Sequence, residues 1–149
     1  MMPNVCVACK PPKEFQDLDI LAGQYWTIRL HVNQTYLASC VIVLNRHLED
    51  MFNISPEERE ELFHLTRSLR DVIRTQFKSN LFNYVSLGNV IKHLHLQVIP
   101  RYDHDVEFDN LKFYDHNWGK NFTLTDTDNL IPQATKVKII KVIKDSLLI

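Results

Sequence analysis

The run His93-Leu94-His95-Leu96-Gln97-Val98 alternates polar and apolar side chains. The two-residue period of a strand would send His93, His95 and Gln97 to one face and Leu94, Leu96 and Val98 into a core. Two imidazoles and a carboxamide on one surface can hold an anion. A neutral imidazole, with an ordinary pKa of about 6.5, also offers a lone pair to an electrophile near neutral pH. The same pattern fits an exposed strand face carrying incidental histidines. Its flanks favour a site: Gly88-Asn89 brings backbone that can approach a ligand closely, plus a side-chain amide, to the start of the strand. At the far end, Pro100 should stop the strand because it cannot donate to a ladder. A second group is Cys6-x-x-Cys9. With three cysteines in the chain, an odd number, this close pair reads as a metal or redox arrangement more than a disulfide framework, or else as two reduced thiols.

These residues need elements to position them. Ser55, Pro56 and Glu58 form the start signal of a helix predicted over Pro56 to Phe77, with Leu62, Leu65, Leu69, Val72, Ile73 and Phe77 on its apolar stripe. A second helix is expected over Thr135 to Leu148, although its β-branched residues leave a strand open for part of it. Strand-like segments cover Tyr25 to His31, Leu37 to Leu44, Phe82 to Ser86 and Val90 to Ile99, with Asn33-Gln34 as the turn joining the first two. From Arg101 to Asn129 no period is evident, which suggests a long covering loop. Strands, helix, strands and an irregular tail make an α+β fold with an antiparallel sheet.

A chain of 149 residues with 45% hydrophobic and 23% charged residues fits one domain with a substantial core and is far from the composition of disorder. Its formal net charge of -1 supplies no broad field for a polyanion, so no extended nucleic acid is expected, while a small anionic ligand stays open. The opening residues Met1 to Lys10 lack a signal-peptide apolar stretch, and Val41 to Leu44 is far too short to span a bilayer. The expectation is therefore a cytoplasmic protein without a membrane partner.

Together these segments resemble the histidine triad (HIT) superfamily. Its motif is His-x-His-x-His or His-x-His-x-Gln on a strand, preceded by Gly-Gln or Gly-Asn and often followed by Ile-Pro-Arg, as in Ile99-Pro100-Arg101. Val41 to His47 looks like the family's second strand, Ser55-Pro56-Glu57-Glu58 like the start of its long helix, and Asn83 to Asn89 like the approach to the triad. The resemblance covers most of Cys6 to Tyr102. It implies a sheet of about five strands with one long and one C-terminal helix, a core over residues 4–102, and residues 103–149 as covering loop and helix.

The resemblance further implies that His95 is a nucleophile that becomes nucleotidylated at an α-phosphate, one ring nitrogen being held by an acceptor such as a backbone carbonyl. Gln97 stands where most hydrolases of the family carry a third histidine. It can stabilise a phosphate oxygen but has no titratable proton for a poor leaving group. Asn33, Asn83, Gly88, Asn89 and Gln97 are the nucleotide-binding candidates. Cys6, Cys9, His47 and His93 match the family's structural zinc ligands, a closed Cys2His2 set with no open position. The expected substrate is a dinucleoside polyphosphate or nucleoside phosphoramidate, cleaved by hydrolysis, in a homodimer that the long helix could help to form. Gln97 also resembles the nucleotidyltransferase and phosphorylase branch. A nucleotide-binding sensor with little catalysis and a zinc module in protein recognition complete the alternatives. His31, His64, His104 and His116 read as surface or loop residues, Cys40 as packing, and Arg101, Lys112 and Lys120 as solvated surface.

Overall fold

The computed structural model describes residues 5–123 and 131–147. The positions before residue 5, residues 124–129 of the expected covering loop and Leu148 of the expected second helix lie outside the described residues. In chain order the elements are a short helix α1 (Lys13–Gln16), strands β1 (Asp19–Ala22), β2 (Trp26–Leu30) and β3 (Cys40–Leu44), a 3-10 turn (Met51–Asn53) and the long helix α2 (Pro56–Phe77). Strands β4 (Leu81–Val85) and β5 (His95–Arg101), the hairpin β6 (Val106–Phe108) and β7 (Leu111–Phe113), and helix α3 (Gln133–Ser146) follow. The main sheet has five strands, all antiparallel, in the order β1-β2-β3-β5-β4, so the fold is α+β as expected. No described helix is long and apolar enough to cross a membrane.

Helix α2 has its predicted bounds because both ends are locally encoded. Ser55 Oγ accepts from the Glu58 amide at 3.1 Å, the Glu58 carboxylate accepts from the Ser55 amide at 2.7 Å, and Pro56 occupies the first turn where no donor is needed. Lys78, at φ 62°, closes the other end in the left-handed region. Leu62, Leu65, Leu69, Ile73 and Phe77 are buried in one core cluster with Trp26, Ile28, Leu30, Ile42 and Val98 of the sheet. Helix α3 packs on α2 and β1, and Ile139 and Ile143 are fully buried. Core packing overrides the weak helix propensity of its β-branched residues.

Several expectations are corrected. Strand β5 begins at His95, not Val90, because residues 86–94 curl: Gly88 takes φ +73°, the His93 amide donates to Ile91 O, and the Leu94 amide donates to Leu48 O. Nor does Pro100 end the strand, which runs on to Arg101. The β3 ladder stops at the Cys40–Val98 pair, so by residue 100 only β4 lies alongside and a missing donor is tolerated. Asn33-Gln34 is not a tight turn. Residues 31–39 form a longer loop, stapled by Gln34, whose Nε2 donates to His31 O and Ser39 O while its Oε1 accepts from the Ala38 amide. The expected loop after Arg101 contains the β6–β7 hairpin, whose turn residues Asp109 and Asn110 both have positive φ, 51° and 63°. That is the requirement of a two-residue hairpin turn. Helix α1 and strand β1 were not anticipated. The tight turn after β1 is fixed by Glu61, whose carboxylate accepts from the amides of Gln24, Tyr25 and Trp26 at 2.7 to 2.8 Å. A side chain at Gly23 in that turn would meet Trp26 O at 2.8 Å.

Glu58 does more than cap α2. It is almost fully buried, and Arg46 donates to it from Nε at 2.5 Å and from Nη2 at 3.0 Å. Hydrogen bonding to Arg46 holds the carboxyl below the usual carboxylate range against the opposing effect of burial, with the Ser55 amide contributing. A depressed folded pKa adds stability that is complete above the unfolded value of about 4.3 and is lost as pH falls through the folded pKa. In urea titrations Glu58→Gln should therefore be less stable than wild type at neutral pH. The difference should shrink steadily once the pH drops below about 4.3.

Candidate metal and nucleophile sites

The chain around Cys6 turns back on itself, with the Cys9 and Lys10 amides both donating to Cys6 O at 3.1 Å, so that the two thiols face the same way. Across from them lie His47, just beyond the end of β3, and His93, in the curl before β5. His93 Nδ1 is 3.3 Å from Cys6 Sγ and 3.4 Å from Cys9 Sγ, and His47 Nδ1 is 3.5 Å from Cys9 Sγ. All four donor atoms lie within 4.8 Å of one another.

The His93 ring is fixed from behind, because its Nε2–H donates to Leu44 O at 2.6 Å. Nδ1 therefore carries a lone pair, and two sulfurs converge on it, more than pairwise hydrogen bonding can use. Ligands on a tetrahedron around zinc, at about 2.3 Å for sulfur and about 2.0 Å for nitrogen, stand roughly 3.5 Å apart, sulfur to nitrogen. The donor set fits such an ion. Burial pushes the Cys6 thiol up, but hydrogen bonds from the Cys9 backbone and the Cys9 and His47 side chains outweigh it and bring the thiol to about 6. Burial, together with the neighbouring Cys6, raises Cys9. One sulfur of the pair is thus readily a thiolate.

The curl corrects the expectation that three polar heads share a face. His93 is buried, at 1% exposure, and turned to the thiols, whereas His95 and Gln97 are half-buried and share the sheet face opposite α2. His95 Nδ1–H donates to the His93 carbonyl at 2.7 Å, which leaves Nε2 with its lone pair available. A backbone carbonyl is thus the acceptor that holds one ring nitrogen of His95. Gln97 Oε1 is buried and has no partner among the described residues. Such an atom calls for a donor from a ligand or solvent molecule.

The other expected contacts are more dispersed. Gly88 and Asn89 lie in the first half of the curl, with Asn89 exposed. Asn83 stands opposite Ile99 on β4, and its Oδ1 accepts from Arg101 Nη1 at 2.9 Å. Asn33 is fully buried beyond the end of β2, its Oδ1 accepting from the Thr35 amide at 2.8 Å and the Thr35 hydroxyl at 2.7 Å.

Arg101 is not solvated surface. On the same side of β5 as His95 and Gln97 but buried, it donates to both Asp115 oxygens, to Asn83 Oδ1, and to the carbonyls of Asn117 and Lys120, and lies over the Tyr36 ring at 5.0 Å. All five guanidinium donors are used. Carrying the strand period on from Gln97 through Ile99 to Arg101 would have revealed its side of the sheet. Nothing local in the sequence reveals Asp115.

A HIT domain model matches residues 13–104. Among solved structures, the chain is similar to a histidine triad (HIT) protein from Sinorhizobium meliloti, with TM-score 0.73 and 18% identity over 87% of this chain and 89% of that one. It is similar also to diadenosine triphosphate hydrolase of Plasmodium falciparum, with TM-score 0.62 and 10% identity over 87% and 76% of the two chains. A zinc-bound histidine triad family protein from Mycobacterium smegmatis gives TM-score 0.57 and 12% identity over 87% and 83%. At these identities the likeness is one of fold. With the family model covering more than half of its length and the motif strand β5 paired on both sides, by β3 and β4, the chain belongs to the HIT family.

Proposed function

We propose that this protein is a nucleotide hydrolase that cleaves a phosphoanhydride at an α-phosphate through a nucleotidyl-His95 intermediate. The observation that carries the reading is the 2.7 Å bond from His95 Nδ1–H to the His93 carbonyl, which aims Nε2 while leaving its electron pair free. In the first displacement that pair forms a bond to phosphorus as the bond to the leaving oxygen breaks, and the oxygen departs with its electrons. Water then attacks the phosphoramidate, returns the free imidazole, and releases a nucleoside monophosphate and a proton.

Gln97, beside the nucleophile, can donate to a phosphoryl oxygen but has no proton to deliver. Polyphosphate leaving groups, stable as anions, therefore suit it better than the amine of a phosphoramidate, which must be protonated to leave. The same feature supports the second reading, transfer of the nucleotidyl group to a phosphate-type acceptor. The Plasmodium neighbour hydrolyses a dinucleoside polyphosphate, which favours that substrate class here.

Zinc is the metal that the two thiols and two imidazoles suit, and the Mycobacterium neighbour is zinc-bound. With four protein ligands and no open position, its contribution is structural: it pins the amino-terminal turn to His47 and His93. A homodimer belongs to this reading as well, since Phe63 on α2 and Leu81 and Tyr84 on the edge strand β4 leave large apolar side chains exposed.

In quenched reactions with a dinucleoside polyphosphate, mass spectrometry should find one nucleotide bonded to His95. His95→Asn should lose at least about a thousandfold in kcat with an unchanged melting temperature. Full turnover by that variant would end the reading, and tight nucleotide binding without turnover by wild type would favour a sensor instead. Elemental analysis should find one zinc per chain. Cys9→Ser should lose the metal and melt at least about 5 °C lower, whereas His95→Asn keeps both metal and melting point.

A further inference from the structure

The sheet face that carries His95 continues across β3 to a charged pair. Gln97 stands directly opposite Val41, Val41 directly opposite Arg29, and Arg29 opposite Asp19, so the four form one row across β5, β3, β2 and β1. Directly opposed residues share a face. Burial agrees: Thr27 and Arg29 are half-buried, while Trp26, Ile28 and Leu30 on the other side are sealed against the helices. Arg29 and Gln97 are two interstrand spacings apart, about 10 Å. Between them the floor is the partly exposed Val41, with Val43 one row along beside His95.

Arg29 is held by one group only. Its Nε donates to Asp19 Oδ1 at 2.5 Å, its side chain is 12% exposed, and its two Nη groups have no hydrogen-bond partner among the described residues. A guanidinium fixed at Nε by a carboxylate is oriented in advance, and the open fork then offers parallel donors to a pair of acceptors. Arg101, on the same sheet face, shows the contrast: every donor there is used inside the protein.

We propose that Arg29, oriented by Asp19, reads the base of the bound nucleotide and selects guanine over adenine. The inference rests on the reading of His95 as the phosphorus-binding end. A nucleotide whose α-phosphate lies at His95 and whose sugar and base cross the apolar floor of Val41 and Val43 brings the base edge to the Arg29 fork. Guanine presents two acceptors there, O6 and N7, whereas adenine presents N7 and an amino donor that opposes the guanidinium. A distal phosphate offers paired acceptors too, but it needs only charge, which lysine supplies as well, whereas the planar fork matches the guanine edge better than an ammonium does.

Calorimetry on the full-length protein would compare GMP, IMP, AMP and inorganic pyrophosphate with wild type, Arg29→Lys and Arg29→Met. IMP keeps O6 and N7 without the 2-amino group, so it isolates the contact. Wild type should bind GMP and IMP about 10- to 100-fold more tightly than AMP, with the gap closing in Arg29→Met and narrowing in Arg29→Lys. Arg29→Lys preserves the charge and the ion pair with Asp19, which covers the case in which Arg29→Met fails to fold. Equal wild-type affinities for GMP and AMP, or a gap undiminished in the Arg29 variants, would overturn the proposal and leave the His95 chemistry standing. Pyrophosphate binding that Arg29→Met abolishes and Arg29→Lys retains would assign the fork to phosphate and overturn it as well. Failure of every nucleotide to bind would instead remove the nucleotide reading on which it depends.

Discussion

His93 uses both ring nitrogens and its carbonyl, and each serves a different part of the molecule. Nε2–H is tied to the end of β3 at Leu44, Nδ1 faces the two thiols, and the carbonyl receives Nδ1–H of His95. The amino-terminal turn, the exit of β3 and the His95 ring are thereby linked through one buried residue. The candidate metal cluster and the orientation of the His95 ring are coupled in consequence. A ring bonded to Leu44 must present its lone pair to the thiols, and the backbone curl that lets it do so also places its carbonyl under His95.

That curl is bought with local backbone irregularity, and the surroundings hold it in place. Gly88 takes up the positive φ, the Leu94 amide is satisfied by Leu48 O, and the residues after β3 are braced by Arg46, which reaches into the buried Glu58 at the start of α2. The start of the long helix, the position of His47 and the route of the chain into β5 are thus one mechanical unit.

At the opposite end of the same sheet face, Arg101 and Asp115 close off the surface. Their side chains are 3% and 1% exposed, and with the guanidinium fully satisfied the desolvation cost of burying two charges is offset by five hydrogen bonds. The tail from Asp115 to Lys120 is held against β4, β5 and Tyr36 as a result. The open part of the face is left as the strip from His95 and Gln97 across Val41 to Arg29, polar at both ends and aliphatic in the middle.

The sequence alone determined whatever is encoded by neighbours along the chain. Helix α2 is legible to the residue because its cap, its proline and its apolar period are all local, and the strand period makes His95 and Gln97 neighbours on one face. The family pattern then supplied the four candidate metal ligands, which geometry brings together although 87 residues separate Cys6 from His93. The departure from strand geometry at His93 was decided by tertiary structure, because the thiols and Leu44 O that attract its ring are remote in sequence. Burial of Arg101 depends on a carboxylate 14 residues away with no periodic relation to it. Arg29 becomes part of the site face only through pairing across two strands. Local propensity fixes which way a side chain points, but what it meets there is set by strand order and loop docking, which no single segment carries.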